Sequence, residues 1–290
     1  MYFSRGRRSG FDIGKTDNDG KNKEERENNF FHMRTICAHY LRNPHVLQPS
    51  KCGDRALCYT KSAKDMKTLW IRTLLSVIGT ALFLWVLLFL PAQSLTFWQA
   101  WIFWSIFSVA VTIISFYFLK KDPNFMESRL KAGPIAEKEK SQKIIQAFSS
   151  LFFMALLIIP GFDFRFHWSS VPLVLVIFGN ACVLAGFWIV YLVFSENNFA
   201  SATIQIGKGQ RVISTGPYRF IRHPMYAGAG LMVGAMPLAL GSYWAFIPVL
   251  LMGVGIVLRI FHEEKYLTKN LKGYGDYCRK VSYRIIPFVW

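Results

Sequence analysis

The feature that most constrains this chain is a succession of long apolar runs almost free of charge. They extend from Leu69 to Leu90, Phe97 to Leu119, Ile144 to Ile159, Pro172 to Phe194, Met225 to Leu240 and Tyr243 to Ile260. Spanning a hydrocarbon core of ~30 Å takes about 20 apolar residues in a helix. The expected fold is therefore all-α: a polytopic membrane protein with about six transmembrane helices, the last two forming a helical hairpin. With 34 basic against 17 acidic residues, the chain carries a net charge of +17. Such a charge alone would suggest a nucleic-acid partner; the apolar runs exclude that reading and assign the basic excess to one side of a bilayer.

The links between the runs agree with this assignment. Pro91 ends the first run, and the uncharged link from Ala92 to Thr96 makes a hairpin with the second. Between Lys120 and Lys143 lie seven basic and four acidic residues, with breaks at Asp122-Pro123 and Gly133-Pro134. The third run closes at Pro160-Gly161, and the link from Phe162 to Val171, carrying only Asp163, Arg165 and His167, is expected outside. The loop from Glu196 to His223 and the tail from His262 to Trp290 are again basic. Every basic segment then falls on the cytoplasmic side, in either an inner membrane or the endoplasmic reticulum. The fifth run covers only about 24 Å as a helix and must thin the bilayer or tilt little. Gly228, Gly230, Gly234 and Gly241 would let neighbouring helices or a ligand approach it closely.

Three regions are expected: a polar extension over residues 1–65, transmembrane helices over 66–194, and a module over 195–290. The extension has too few apolar positions to offset its ordering entropy and lacks the layout of a signal peptide. Met66 would also make a natural start, so an over-extended reading frame is an expectation that N-terminal sequencing of the natural protein tests. Cys37, Cys52, Cys58, Cys182 and Cys278 form no disulfide framework. The spacing of His32, Cys37, His39, Cys52 and Cys58 lacks a metal-binding rhythm, so no metal is expected.

Polarity concentrates in an unusual place, from Gly216 to Tyr226, and is answered downstream by Arg259, Glu263 and Glu264. Pro217 and Pro224 restrict themselves and the residues before them, which predicts a rigid, non-helical lead-in to the fifth span. Tyr218, His223 and Tyr226 would project from it at defined positions. Arg259 and Glu263 are four apart on one helical stretch and so share a face, close to the inner edge of the hydrocarbon. A snorkelling arginine with a salt-bridge partner is the simpler account. Two adjacent carboxylates beside an anionic bilayer surface argue instead for a cationic ligand. His223 is read as positioning a ligand, because nothing near it offers a nucleophile.

Several short motifs in order carry a resemblance: Gln205, the run from Val212 to Tyr218, the run from Arg222 to Tyr226, Arg259 with Glu263 and Glu264, and Tyr274, Tyr277, Val281, Tyr283, Arg284 and Pro287. Over roughly residues 195–290 the chain resembles the isoprenylcysteine carboxyl methyltransferase family and its phospholipid methyltransferase relatives. The resemblance implies a membrane methyltransferase that takes S-adenosylmethionine from the cytoplasm. Gln205, Gln210, Arg211, Val212, Ile213, Tyr218, His223, Pro224, Met225, Tyr226, Glu263 and Glu264 would then surround the cofactor. Arg259 would face the methyl acceptor, and Arg259 with Glu263 would form the catalytic pair. The acceptor would be an isoprenylcysteine carboxylate, a prenylated protein or another lipophilic small molecule, reached from among membrane lipids. The tail from Tyr274 to Pro287 also resembles the end of sterol reductases, which implies an NADPH-dependent alternative with Arg222, Arg259 and Arg284 on phosphates. A non-catalytic membrane protein of the same fold is the third reading.

Overall fold

The computed structural model describes residues 63–130, 140–197 and 210–290. Residues 1–62 of the polar extension, with its three cysteines, and Gln205 lie outside the described residues, while residues 63–65 already belong to the first helix. The described chain forms helices α1 (Ala63–Ala92), α2 (Trp98–Lys121), α3 (Pro123–Leu130), α4 (Lys140–Phe166) and α5 (Leu173–Glu196). After a short 3-10 turn (Gly216–Arg219) come α6 (Pro224–Ala239), α7 (Phe246–Asn270) and α8 (Tyr274–Lys280). Among the described residues there is no strand. In hydrocarbon a helix satisfies its own backbone groups, which is why apolar runs of this length take no other form. Among the described residues five helices, α1, α2, α4, α5 and α7, are long and apolar enough to cross a membrane. The sixth apolar helix, α6, has 16 residues. The protein is an integral, multi-pass membrane protein, and its outer surface accordingly displays Leu75, Ile113, Val174 and Leu250.

The core lies where the helices converge: Leu84 and Leu88 of α1, Phe103 of α2, Leu156 and Leu157 of α4, Val183 of α5 and Met236 of α6 are almost wholly buried. Packing between α5 and α6 is closest. A Cβ added at Gly179 would lie 2.5 Å from the Ala239 nitrogen, and one at Gly186 would lie 2.7 Å from the Gly228 oxygen. Of the four glycines expected to permit close approach, Gly228 does so, whereas a Cβ on Gly230 or Gly234 would meet nothing. Gly241 instead turns the chain into α7 with φ +72.

The third run does not close at Pro160. α4 continues through that proline to Phe166, so the external link begins later than expected. A proline within a membrane helix is tolerated where neighbours re-satisfy the local polar groups. Here the extra turn also seats Gly161 against the Leu88 carbonyl and buries Asp163, 1% exposed. The Asp163 carboxylate accepts hydrogen bonds from the Ser169 nitrogen (2.7 Å), the Ser169 hydroxyl (2.5 Å) and the Ser242 hydroxyl (2.5 Å). Asp163 is thus a tie between the end of α4 and the α6–α7 turn rather than a loop charge.

Candidate functional site

The lead-in to α6 was expected to be non-helical, but one part of it is helical. Gly216 adopts φ +55, and Pro217 then opens a single 3-10 turn in which the Phe220 nitrogen donates to the Pro217 oxygen at 3.2 Å. The fixed proline φ suits such a turn. The tail braces the lead-in from the other side. The Arg222 and His223 nitrogens donate to the Tyr283 and Arg284 oxygens at 2.9 and 2.8 Å, and the Tyr277 hydroxyl donates to the Tyr218 oxygen at 2.7 Å. Val212 packs with Tyr274, Tyr277 and Val281 in the same brace. Burial pushes the Tyr274 and Tyr277 phenols up, and that of Tyr218 up to about 12. Tyr218 therefore keeps its proton at neutral pH, and its hydroxyl accepts a hydrogen bond from the Asn197 amide at 2.8 Å.

The two adjacent carboxylates of α7 part company. Successive residues on a helix point about 100° apart, and each finds a different environment. Glu264 meets two guanidiniums, Arg222 at 2.9 Å and Arg284 at 3.0 Å, and the His223 imidazole at 3.2 Å. Glu263 accepts a hydrogen bond from the Tyr226 hydroxyl at 2.8 Å, and that hydroxyl accepts one from Arg259 Nε at 3.0 Å. Arg259 Nη1 donates to Gln146 Oε1 of α4 at 2.8 Å. Three helices thus hold one chain of hydrogen bonds, and two points fix the plane of the guanidinium.

This chain of bonds forms part of the wall of a cavity of about 660 Å³. α7 lines it with Met252, Ile256, Arg259 and Glu263, a stripe at helical spacing, and α4 lines it with Gln146, Ser149, Ser150, Phe153 and Met154. On both helices the polar members lie at one end and the apolar members at the other. α6 adds Met225, Tyr226, Ala229, Met232 and Val233, α5 adds Val190, α1 adds Phe83, and α3 adds Arg129. Phe83 and Met154, at the apolar end, are both exposed.

Of the residues expected to surround a cofactor, Met225, Tyr226 and Glu263 line this cavity, as does Arg259. Tyr218 lies close enough for Glu263 and Arg129 to influence it electrostatically. Pro224 is buried at the first position of α6. His223 and Glu264 belong to the ion-pair cluster and are not among the lining residues. Gln210, Arg211 and Ile213 lie on the segment before the turn, with Arg211 exposed. Sequence reasoning missed Gln146, Ser149, Ser150 and Arg129. The first three left a signal, polar residues at i, i+3 and i+4 in an otherwise apolar run. Arg129 left none, being one basic residue in a basic loop.

Chemically, the polar end offers a carboxylate, a tyrosine phenol and an oriented guanidinium. The cavity volume falls within the range of about 300–1,000 Å³ usual for small-molecule sites. A carboxylate with aromatic faces suits a sulfonium cation, and the guanidinium suits an anion.

Comparison with known proteins gives two likenesses. Over 91 residues the chain is 32% identical to the Delta(14)-sterol reductase TM7SF2 of Mus musculus, which is 30% of this chain and 22% of that protein. Over 90 residues it is 32% identical to the Delta(14)-sterol reductase erg24 of Schizosaccharomyces pombe, 30% of this chain and 21% of that protein. The chain thus spans about a fifth of the length of these curated relatives. Residues 174–274, the segment that contributes Met225, Tyr226, Arg259 and Glu263 to the cavity, match the family model of phospholipid methyltransferases.

Proposed function

We propose that the protein is an S-adenosylmethionine-dependent methyltransferase acting on a lipophilic acceptor that bears a carboxylate, an isoprenylcysteine or a related lipid acid, with the site on the cytoplasmic side. The observation that carries this reading is the hydrogen-bonded series Gln146, Arg259, Tyr226 and Glu263 in one cavity with a polar and an apolar end. Bound there, S-adenosylmethionine would supply a methyl group that a carboxylate oxygen takes by in-line displacement, the departing electron pair remaining on sulfur and no proton moving. Glu263 would hold the cationic donor. Arg259, oriented by Tyr226 and Gln146, would hold the carboxylate in a two-pronged grip that lysine cannot reproduce. The apolar lining from Phe153 to Met252 would keep water from the reacting atoms. Alignment and exclusion of water are the main requirements of such a transfer, and no general base is needed.

The NADPH-dependent reductase reading is favoured by the likeness to the sterol reductases. It would place Arg222, Arg259 and Arg284 on phosphates, yet two of these already pair with Glu264, away from Arg259. Binding separates the readings. Calorimetry on the purified protein in detergent should detect S-adenosylhomocysteine and not NADPH. Glu263→Ala should weaken that binding, while Arg259→Lys should keep it and lose transfer. Binding of NADPH alone would establish the reductase, binding of neither would leave a non-catalytic protein, and normal turnover by both variants would reject these residue roles.

A further inference from the structure

We propose that residues 284–290 form a membrane anchor of their own: the tip of this loop, Ile286, Phe288 and Val289, dips into the boundary between head groups and acyl chains at the basic end of the bundle. The surface lies outside the main cavity, and the inference does not depend on the methyltransferase reading.

Local sequence closes the segment on itself. The Arg284, Ile285 and Ile286 nitrogens donate to the Trp290 oxygen at 2.8, 3.0 and 3.2 Å, and the Val289 and Trp290 nitrogens donate to the Ile286 oxygen at 3.2 and 3.1 Å. Pro287 has no N–H to satisfy. An irregular segment is normally kept from the acyl boundary by the cost of stripping water from unpaired backbone groups. Here most of the N–H groups are paired within the loop, which lowers that cost. With the main chain so occupied, the apolar side chains point outward: Ile286 is 53% exposed, Phe288 87% and Val289 75%. Phe288 has φ +65, where glycine is unstrained and a bulky residue is not, so the turn itself does not call for a ring at that position.

Contact with α7 sets the depth of the loop. The Trp290 and Phe261 rings meet edge to face with centres 5.8 Å apart, and the Arg284 guanidinium lies 5.3 Å from the centre of each. Phe261 is itself exposed on the apolar surface of α7. At ~1.5 Å per residue it lies about 22 Å along α7 from Phe246, just before which the exposed aromatics Tyr243 and Trp244 mark the opposite interface. A hydrocarbon core of ~30 Å still surrounds Phe261 at that height. A loop resting on it therefore reaches the acyl boundary, and the lipid-facing surface of α7 continues into the tip. The one charged side chain of the segment, Arg284, does not oppose this, because it turns to Glu264 at 3.0 Å. Three side chains are also too few to cover the roughly 800 Å² per partner of a stable protein interface. Shallow insertion of an apolar tip needs no such area, so lipid is the occupant the patch fits.

The test places the photoreactive residue p-benzoylphenylalanine at Phe288 of the full chain in phosphatidylcholine proteoliposomes and reads the products by mass spectrometry after proteolysis. The same residue at Leu250, on the outer surface of α7, and at Lys272, in the turn after α7, gives the lipid and water references. The Phe288 peptide should gain the mass of one phosphatidylcholine, as the Leu250 peptide should, and the Lys272 peptide should not. A Phe288 peptide free of lipid, like that of Lys272, would overturn the proposal. So would a covalent dimer of the chain, which would make the patch a contact between copies. Should the Phe288 variant not fold, the probe at Val289 is read in the same way, with the same result expected and the same two results against it.

Discussion

Glu263 and Glu264 are neighbours in the chain with different surroundings, because one helical step turns a side chain by about 100°. Glu263 shares the Tyr226 hydroxyl with Arg259 at the cavity wall. Glu264 joins the lead-in to α6 and the tail through Arg222, His223 and Arg284. Its contribution is therefore expected in stability. Removing one partner of a fully buried ion pair costs about 3–5 kcal/mol. The Arg284 side chain is 27% exposed and the two others less so, which lowers the expectation for Glu264→Gln to on the order of 2 kcal/mol. Thermal unfolding in detergent should register the loss. An unchanged midpoint would mean that the cluster contributes nothing beyond screened surface charge.

At the scale of elements, the short helix α6 is held by its contact with α5 as well as by its own length. With little hydrophobic drive between helices in lipid, close backbone packing across small residues does most of the joining. Gly186→Val would bring a Cβ to 2.7 Å from the Gly228 oxygen and force the helices apart, whereas Gly230→Ala meets nothing. The first substitution should abolish recovery of folded protein. The second should be neutral or stabilise by up to about 1 kcal/mol through helix propensity. Equal behaviour of the pair would show that α5 and α6 do not meet at these glycines. The α3 helix makes a similar point in miniature, since Asp122 starts it and two buried neighbours decide where Arg129 goes.

Across the whole molecule the two ends of the bundle differ. One carries Lys120, Lys121, Lys269, Arg279 and Lys280 at or beyond helix ends, and the other carries the exposed aromatics Trp168, Tyr243 and Trp244. Basic flanks and aromatic belts are the usual marks of cytoplasmic and opposite interfaces. Cysteines substituted at Lys272 and Ser94 should therefore react with an impermeant maleimide from opposite sides, Lys272→Cys from the cytoplasm; labelling of both from one side would refute the topology. Five of the six apolar runs were legible as crossings from charge and length, because spanning a hydrocarbon layer is a requirement that each segment meets alone, whereas the run that forms α6 is too short to meet it so. The shared face of Arg259 and Glu263 was legible as well, since helical spacing is local. The end of α4 was not: Pro160 reads as a stop, and the contacts made beyond it, Gly161 with Leu88 and Asp163 with Ser169 and Ser242, join segments that no local pattern brings near.

By itself the sequence determined that the chain crosses a membrane as helices and that polarity gathers at the start of α6 and the end of α7. Tertiary structure alone decided which carboxylate lines the cavity and that Arg129, from a basic loop, lines it as well. The orienting partner of Arg259, Gln146, lies 113 residues away along the chain. Such partnerships follow from how helices pack against one another, and that depends on the shapes of several faces at once rather than on the pattern of any one.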